Sequence, residues 1–147
     1  MGFKLDRVHV WRGEVADQAG GVSAKLALLA QAGANLEYIY THRQPDRPGT
    51  GILYVAPVTG PLAVRAARAA GLHEANTPIV LRVEGDNQAG LGHRLTQRWA
   101  VEGLSLHGLM MSVVGDRFVG YVSFDTVTDA NRAAAILGDL GTEAGKR

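Results

Sequence analysis

No cysteine occurs in the 147 residues, so disulfides and thiolate metal sites are excluded. No segment carries an apolar run long enough to span a bilayer, and the opening Met1-Gly2-Phe3-Lys4-Leu5-Asp6 lacks the apolar core of a secretory signal. Met1-Gly2 is no myristoylation signal either, because Asp6 stands where Ser or Thr is required. The expected compartment is the cytoplasm, with no membrane partner. Neither sign of charge dominates, since the net charge is +1. Residues 1–73 hold eight Lys/Arg against five Asp/Glu, and residues 74–147 hold seven against nine. Neither half carries the basic patch of a nucleic-acid binder, so no nucleic-acid partner is expected. His9, His42, His73, His93 and His107 form no i, i+4 ligand pair and no acidic cluster surrounds them, which argues against a metal. Gly49-Thr50-Gly51 and Gly90-Leu91-Gly92 lack the spacing of a phosphate-binding fingerprint. Ser23, Ser105, Ser112 and Ser123 have no nucleophile-elbow context. The expectation is no cofactor, no metal and no catalytic residue; the chain reads as not an enzyme.

What is present is a repeat. Asp17-Gln18-Ala19-Gly20-Gly21 returns as Asn87-Gln88-Ala89-Gly90-Leu91, 70 residues later. The same offset carries Val10 to Val80, Arg12 to Arg82, Glu14 to Glu84, Gly33 to Gly103 and Leu36 to Leu106. From Tyr54 the offset becomes 67, matching Tyr121, and Ala63, Arg65 and Gly71 match Ala130, Arg132 and Gly138. The first hairpin is thus three residues longer. A match at fixed period spread over several segments marks a duplicated unit.

Each copy reads as strand, turn, helix, hairpin and helix. Arg7 to Arg12 alternates as a strand, with the turn at Gly13 to Gly20. Val22, Leu26, Leu29 and Ala30 then share one helical face, and Gly33 stops the helix. Asn35 to His42 and Gly51 to Ala56 flank the dense turn Arg43 to Gly49. Pro61 opens a second helix at its favoured first position, and Gly71 ends it. His73 to Thr77 is a short closing strand or a linker. In the second copy Pro78 to Val83 is a strand, and Leu91, Leu95 and Trp99 form a helix core. Leu104 to Val114 and Phe118 to Phe124 form a tight hairpin, and Thr128 caps a helix over Asp129 to Gly138. The last strand is expected, short, within Leu140 to Arg147. Arg12 and Arg82 are expected to pair with Glu14 and Glu84. The fold class is α+β: two ferredoxin-like βαββαβ units side by side, sharing an antiparallel sheet with helices on one face. The expected domains are 1–74 and 75–147.

The arrangement resembles the ACT domain family, small-molecule regulatory modules of amino-acid metabolism, over roughly residues 7–140. The residues that carry the resemblance are Asp17-Gln18-Ala19-Gly20 with Gly33-Ala34-Asn35-Leu36, and Asn87-Gln88-Ala89-Gly90 with Gly103-Leu104-Ser105-Leu106. Ala19 and Ala89 replace a usual Pro, and Gly21 replaces a usual apolar residue. The resemblance implies a free amino acid bound between paired domains, by the backbone of the turn and the residue opening the second strand. The implied ligand residues are Asp17, Gln18, Gly20, Gly21, Val22, Asn35 and Leu36 in the first copy. In the second they are Asn87, Gln88, Ala89, Gly90, Leu91, Gly92, Ser105 and Leu106. Ser105 offers a hydroxyl where Asn35 offers a full amide, so the two sites are expected to differ.

The expected function is that of a non-catalytic regulatory protein binding an amino acid or similar small effector, as a homodimer. The alternative is an interaction subunit that docks on a partner metabolic enzyme without a ligand of its own.

Overall fold

The computed structural model describes residues 2–145. It divides into two compact units: His9–Ala75, and Met1–Val8 with Asn76–Arg147. Twelve elements follow in chain order: β1 (Lys4–Val8), β2 (Trp11–Ala16), α1 (Gly21–Gln31), β3 (Tyr38–Arg43), β4 (Thr50–Ala56), α2 (Pro61–Ala69), β5 (His73–Glu74), β6 (Ile79–Asp86), α3 (Leu91–Val101), β7 (Gly108–Val114), β8 (Arg117–Phe124) and α4 (Val127–Gly145).

In the unit His9–Ala75 the strands lie in the order β3-β4-β2-β5, all antiparallel. Trp11, Val15, Leu53 and Val55 alternate with more exposed residues along β2 and β4, so one sheet face is apolar. Helix α1 covers it with fully buried Leu29, and α2 with Ala63 and Ala67. Small side chains on α2 let that helix lie close to the sheet. Gly13 on β2 shows how close: a Cβ there would stand 2.7 Å from the Gly71 carbonyl oxygen. The residue at the matching position of the other unit, Val83, is buried.

In the other unit the order is β1-β6-β8-β7, the same pattern of centre and edges. Its core gathers Leu81, Val83, Leu95, Trp99, Phe118, Val122, Phe124 and Leu137. The Trp99 ring meets Phe124 edge-on, with centroids 5.9 Å apart, and its Nε1 donates to the Ala133 carbonyl at 3.3 Å. The buried indole thus fills the core and has its one polar atom satisfied.

The structure corrects five expectations. The strands hydrogen-bond in two four-stranded sheets, not in one shared sheet. The run read as one strand over Arg7 to Arg12 is two, broken at His9-Val10, and β1 pairs with β6 from Lys4↔Glu84 to Val8↔Val80. Residues 1–8 therefore go with the unit that resumes at Asn76, not with residues 9–74. β1 occupies the edge that β5 occupies beside β2. No strand follows the last helix among the described residues, because α4 runs to Gly145; residues 146–147 of that expected strand lie outside the described residues. The cap of α4 is Thr126, whose Oγ1 accepts the Asp129 N–H at 3.1 Å, in place of Thr128. No helix of the described residues is long and apolar enough to cross a membrane.

Candidate functional site

The repeated turns are the same structure built twice. Gly20 caps α1 at φ 85°, and Gly90 caps α3 at φ 81°, both left-handed, a conformation open to glycine. Neither helix has a side-chain cap hydrogen bond. The Gly21 and Leu91 N–H groups donate to the Gln18 and Gln88 carbonyls, and no side chain caps the helix ends, which carry the partial positive charge of the helix dipole. Nothing lies within 4 Å of where a Cβ would stand on Gly20 or Gly90. Gly21 differs: a Cβ there would strike the Ala16 carbonyl oxygen, so this glycine is fixed by the close approach of β2 to α1.

The side chains around the turns have defined partners. Asp17 Oδ2 accepts from Arg43 Nε at 2.9 Å, and Asp17 N–H donates to the Gly49 carbonyl at 3.0 Å. Gln88 Oε1 accepts from Arg94 Nη1 at 3.0 Å, and Asn87 N–H donates to the Asp116 carbonyl at 2.9 Å. Asp17 and Asn87 are thus turn residues and not helix caps. Gln18, Ala89 and Gly90 are exposed, and Gly92 sits where a Cβ would touch Met111 Sδ at 3.3 Å. Leu91 is buried in the core, while Val22, Leu36 and Leu106 pack against the cores at their edges. Of these four only Leu91 is fully withdrawn; Val22, Leu36 and Leu106 are half-buried.

Asn35 and Ser105 are exposed, at the far ends of α1 and α3 from Gly20 and Gly90. Eleven helical residues separate each pair, roughly 16 Å of rise. Within one unit, then, turn and strand opening are not brought together. Instead Asn35 lines a cleft of about 520 Å³ with Gly33, Glu37, Pro57, Thr59 and Gly60, at the uncapped start of α2. That volume lies within the range of small-molecule pockets. Glu37 and Thr59 were missed by the sequence reading; the Gly60-Pro61 helix start beside a strand end is the signal that points to them. The matching region of the other repeat holds an exposed hydrogen bond between His107 Nδ1 and Asp125 Oδ1 at 2.9 Å. The Ser123 hydroxyl donates to the Gly108 carbonyl at 3.4 Å. Among the described residues no group of three or more His, Asp or Glu is placed to hold a metal ion.

The two repeats diverge in charge pairing. Arg82 binds Glu84 at 2.9 Å, as the sequence suggests. That hydrogen bond, with the charges of Arg82, Lys4 and Arg117 beside it, holds the Glu84 carboxyl below its ordinary value. Arg12 does not pair with Glu14. Arg47, from the longer β3–β4 loop, takes Glu14 at 2.8 Å instead.

No family model matches the chain, and no curated protein matches it in sequence. Solved structures do match in fold. A protein from Bacteroides thetaiotaomicron superposes with a TM-score of 0.72 at 13% identity, over 92% of this chain and 89% of that one. The regulatory subunit of aspartate kinase from Thermus flavus gives 0.60 at 19% identity, over 93% of each chain. The aspartate kinase of Clostridium acetobutylicum gives 0.60 at 11% identity, over 97% of this chain and 34% of that one. The chain therefore shares its fold, two units in tandem as its repeated turns point to, with regulatory subunits of aspartate kinase.

Proposed function

We propose that this chain is a non-catalytic regulatory protein that binds a free amino acid or similar small effector where ACT-like repeats pair. The observation that carries the proposal is the pair of matching turns, each with a left-handed glycine and an uncapped helix start. A carboxylate placed there meets backbone N–H groups and a favourable helix dipole. Asn35, or Ser105 in the other copy, then reads the ammonium end of the ligand. Since turn and strand opening lie apart within a unit, pairing of repeats in a homodimer is what completes the site. Binding acts by favouring one arrangement of the paired units over another. The proposed compartment is the cytoplasm.

The similarity to regulatory subunits favours a second reading, in which the chain docks on a partner metabolic enzyme without a ligand of its own. Amide NMR spectra recorded as free amino acids are added distinguish the two. The first reading expects shifts clustered at Gly20, Gly90, Asn35 and Ser105. Spectra unmoved by every amino acid favour the second.

A further inference from the structure

In the unit His9–Ala75 the sheet face away from the helices carries aromatic rings beside a cation. Leu53 and Val55 enter the core, so Tyr54 between them points to the open face. Directly opposed residues share a face, and the pairings Tyr40↔Tyr54, Tyr54↔Arg12 and Arg12↔His73 form one row across all four strands. The Tyr40 and Tyr54 rings stack, with centroids 5.8 Å apart and planes 22° from parallel. His42 lies 5.4 Å from Tyr40 and 5.9 Å from Tyr54. Tyr40, on the edge strand, is 46% exposed. The matching row of the other unit reads Met110, Tyr121, Arg82 and Asp6, and there Glu84 neutralises Arg82 at 2.9 Å. In the first unit Arg47 has taken Glu14. Arg12 is half-buried and has no hydrogen-bond or ion-pair partner among the described residues. A guanidinium partly withdrawn from water and left unpaired favours an anion from outside the chain.

We propose that this open face binds a nucleoside phosphate, its base stacked on Tyr40 and Tyr54 and its phosphate on the Arg12 guanidinium. The base extends a stack that the two tyrosines already form. The Arg12 fork matches a phosphate with two parallel N–H bonds, and His73 beside it adds a further donor. Spacing selects the ligand class. Neighbouring strands lie about 4.8 Å apart, so the Arg12 backbone stands roughly 9.6 Å from that of Tyr40. A ring and an anion that bridge two strands need a spacer between them, which the pentose of a nucleotide supplies. Charge selects a single nucleotide over a strand of nucleic acid. Arg43 and Arg47, the other cations at this corner, are occupied by Asp17 and Glu14. Arg12 and His73 remain for one anionic group, where a strand brings a charge with every residue. None of these residues belongs to the glycine turns, so the site stands apart from the amino-acid reading.

Titration calorimetry of the whole chain with adenosine monophosphate tests this. Adenosine supplies the ring without the anion, and ribose 5-phosphate the anion without the ring. Adenosine monophosphate is expected to bind at a single site per chain, and each fragment about tenfold or more weaker. Tyr40→Leu and Arg12→Gln are each expected to weaken binding about tenfold while the circular dichroism spectrum stays that of the wild type. Met110→Leu, at the counterpart of Tyr40 in the other unit, is expected to leave the affinity unchanged. Should Arg12→Gln fail to fold, the exposed Tyr40→Leu decides with the two fragments. No binding of adenosine monophosphate, full affinity for either fragment alone, or an affinity unchanged in both Tyr40→Leu and Arg12→Gln overturns the proposal. A ten-residue oligoadenylate that binds more tightly per nucleotide than adenosine monophosphate makes a strand the occupant and overturns it as well.

Discussion

Arg43 Nε lies 2.9 Å from Asp17 Oδ2, tying the end of β3 to the first residue of the repeated turn. The Asp17 N–H bond to the Gly49 carbonyl closes the same corner from the backbone side. The turn thus keeps its shape without a helix cap, which leaves the start of α1 open. The contact is exposed, and its contribution to stability is small.

Arg43→Gln accordingly lowers unfolding free energy by no more than about 1 kcal/mol, as is usual for a surface pair. Its larger effect falls on local opening. Amide hydrogen exchange at residues 17–20 is expected to speed up while exchange at Leu29 is unchanged.

The glycines of the turn separate by cause. Gly20 has a left-handed φ and open space around it. Gly20→Ala costs about 1–2 kcal/mol through backbone strain alone. Gly21→Ala meets the Ala16 carbonyl and forces α1 away from β2, so it costs more. Urea denaturation of the two variants checks the order; a smaller loss for Gly21→Ala contradicts it.

Much of this geometry is legible in the sequence, and the exceptions have physical reasons. The glycine turns, the starts of α1, α2 and α3 and the Leu91, Leu95 and Trp99 core follow from local pattern. The break between β1 and β2 does not, because Val8 and Val10 alternate as one strand would. Which edge β1 joins is decided by pairing with β6, more than 70 residues away, and local alternation carries no record of it. The cleft beside Asn35 is hidden for the same reason: α2 reaches it through the sheet. Arg12 loses Glu14 to Arg47 only because the inserted loop folds back, which the offset change records as length and not as charge.

Trp99 anchors its unit's core through Phe124 and the Ala133 carbonyl. Trp99→Ala removes the ring and leaves a cavity, costing about 3–5 kcal/mol. Chemical denaturation followed by circular dichroism measures it. A loss near that of a surface substitution contradicts the packing described.

Glu84 gives a pH dependence with a definite sign. Its carboxyl is held below the ordinary value of 4.5, chiefly by the hydrogen bond from Arg82. The folded state therefore takes up this proton less readily than the unfolded chain. The stabilisation is complete above the unfolded value and is lost as pH falls through the folded one. Glu84→Gln should flatten this part of the acid limb, and carboxyl NMR titration of the wild type should place Glu84 below the ordinary glutamate value.

The amino-acid-binding account is tested most directly by thermal denaturation of the wild type with each of the twenty amino acids in turn. A ligand that binds only the folded state stabilises it by about 2.7 kcal/mol at a hundred times its Kd. The account predicts that one amino acid, or a chemically related few, raises the melting temperature in a saturable way, and that Asn35→Ser weakens this response more than Ser105→Ala does. A melting temperature unmoved by all twenty would contradict it.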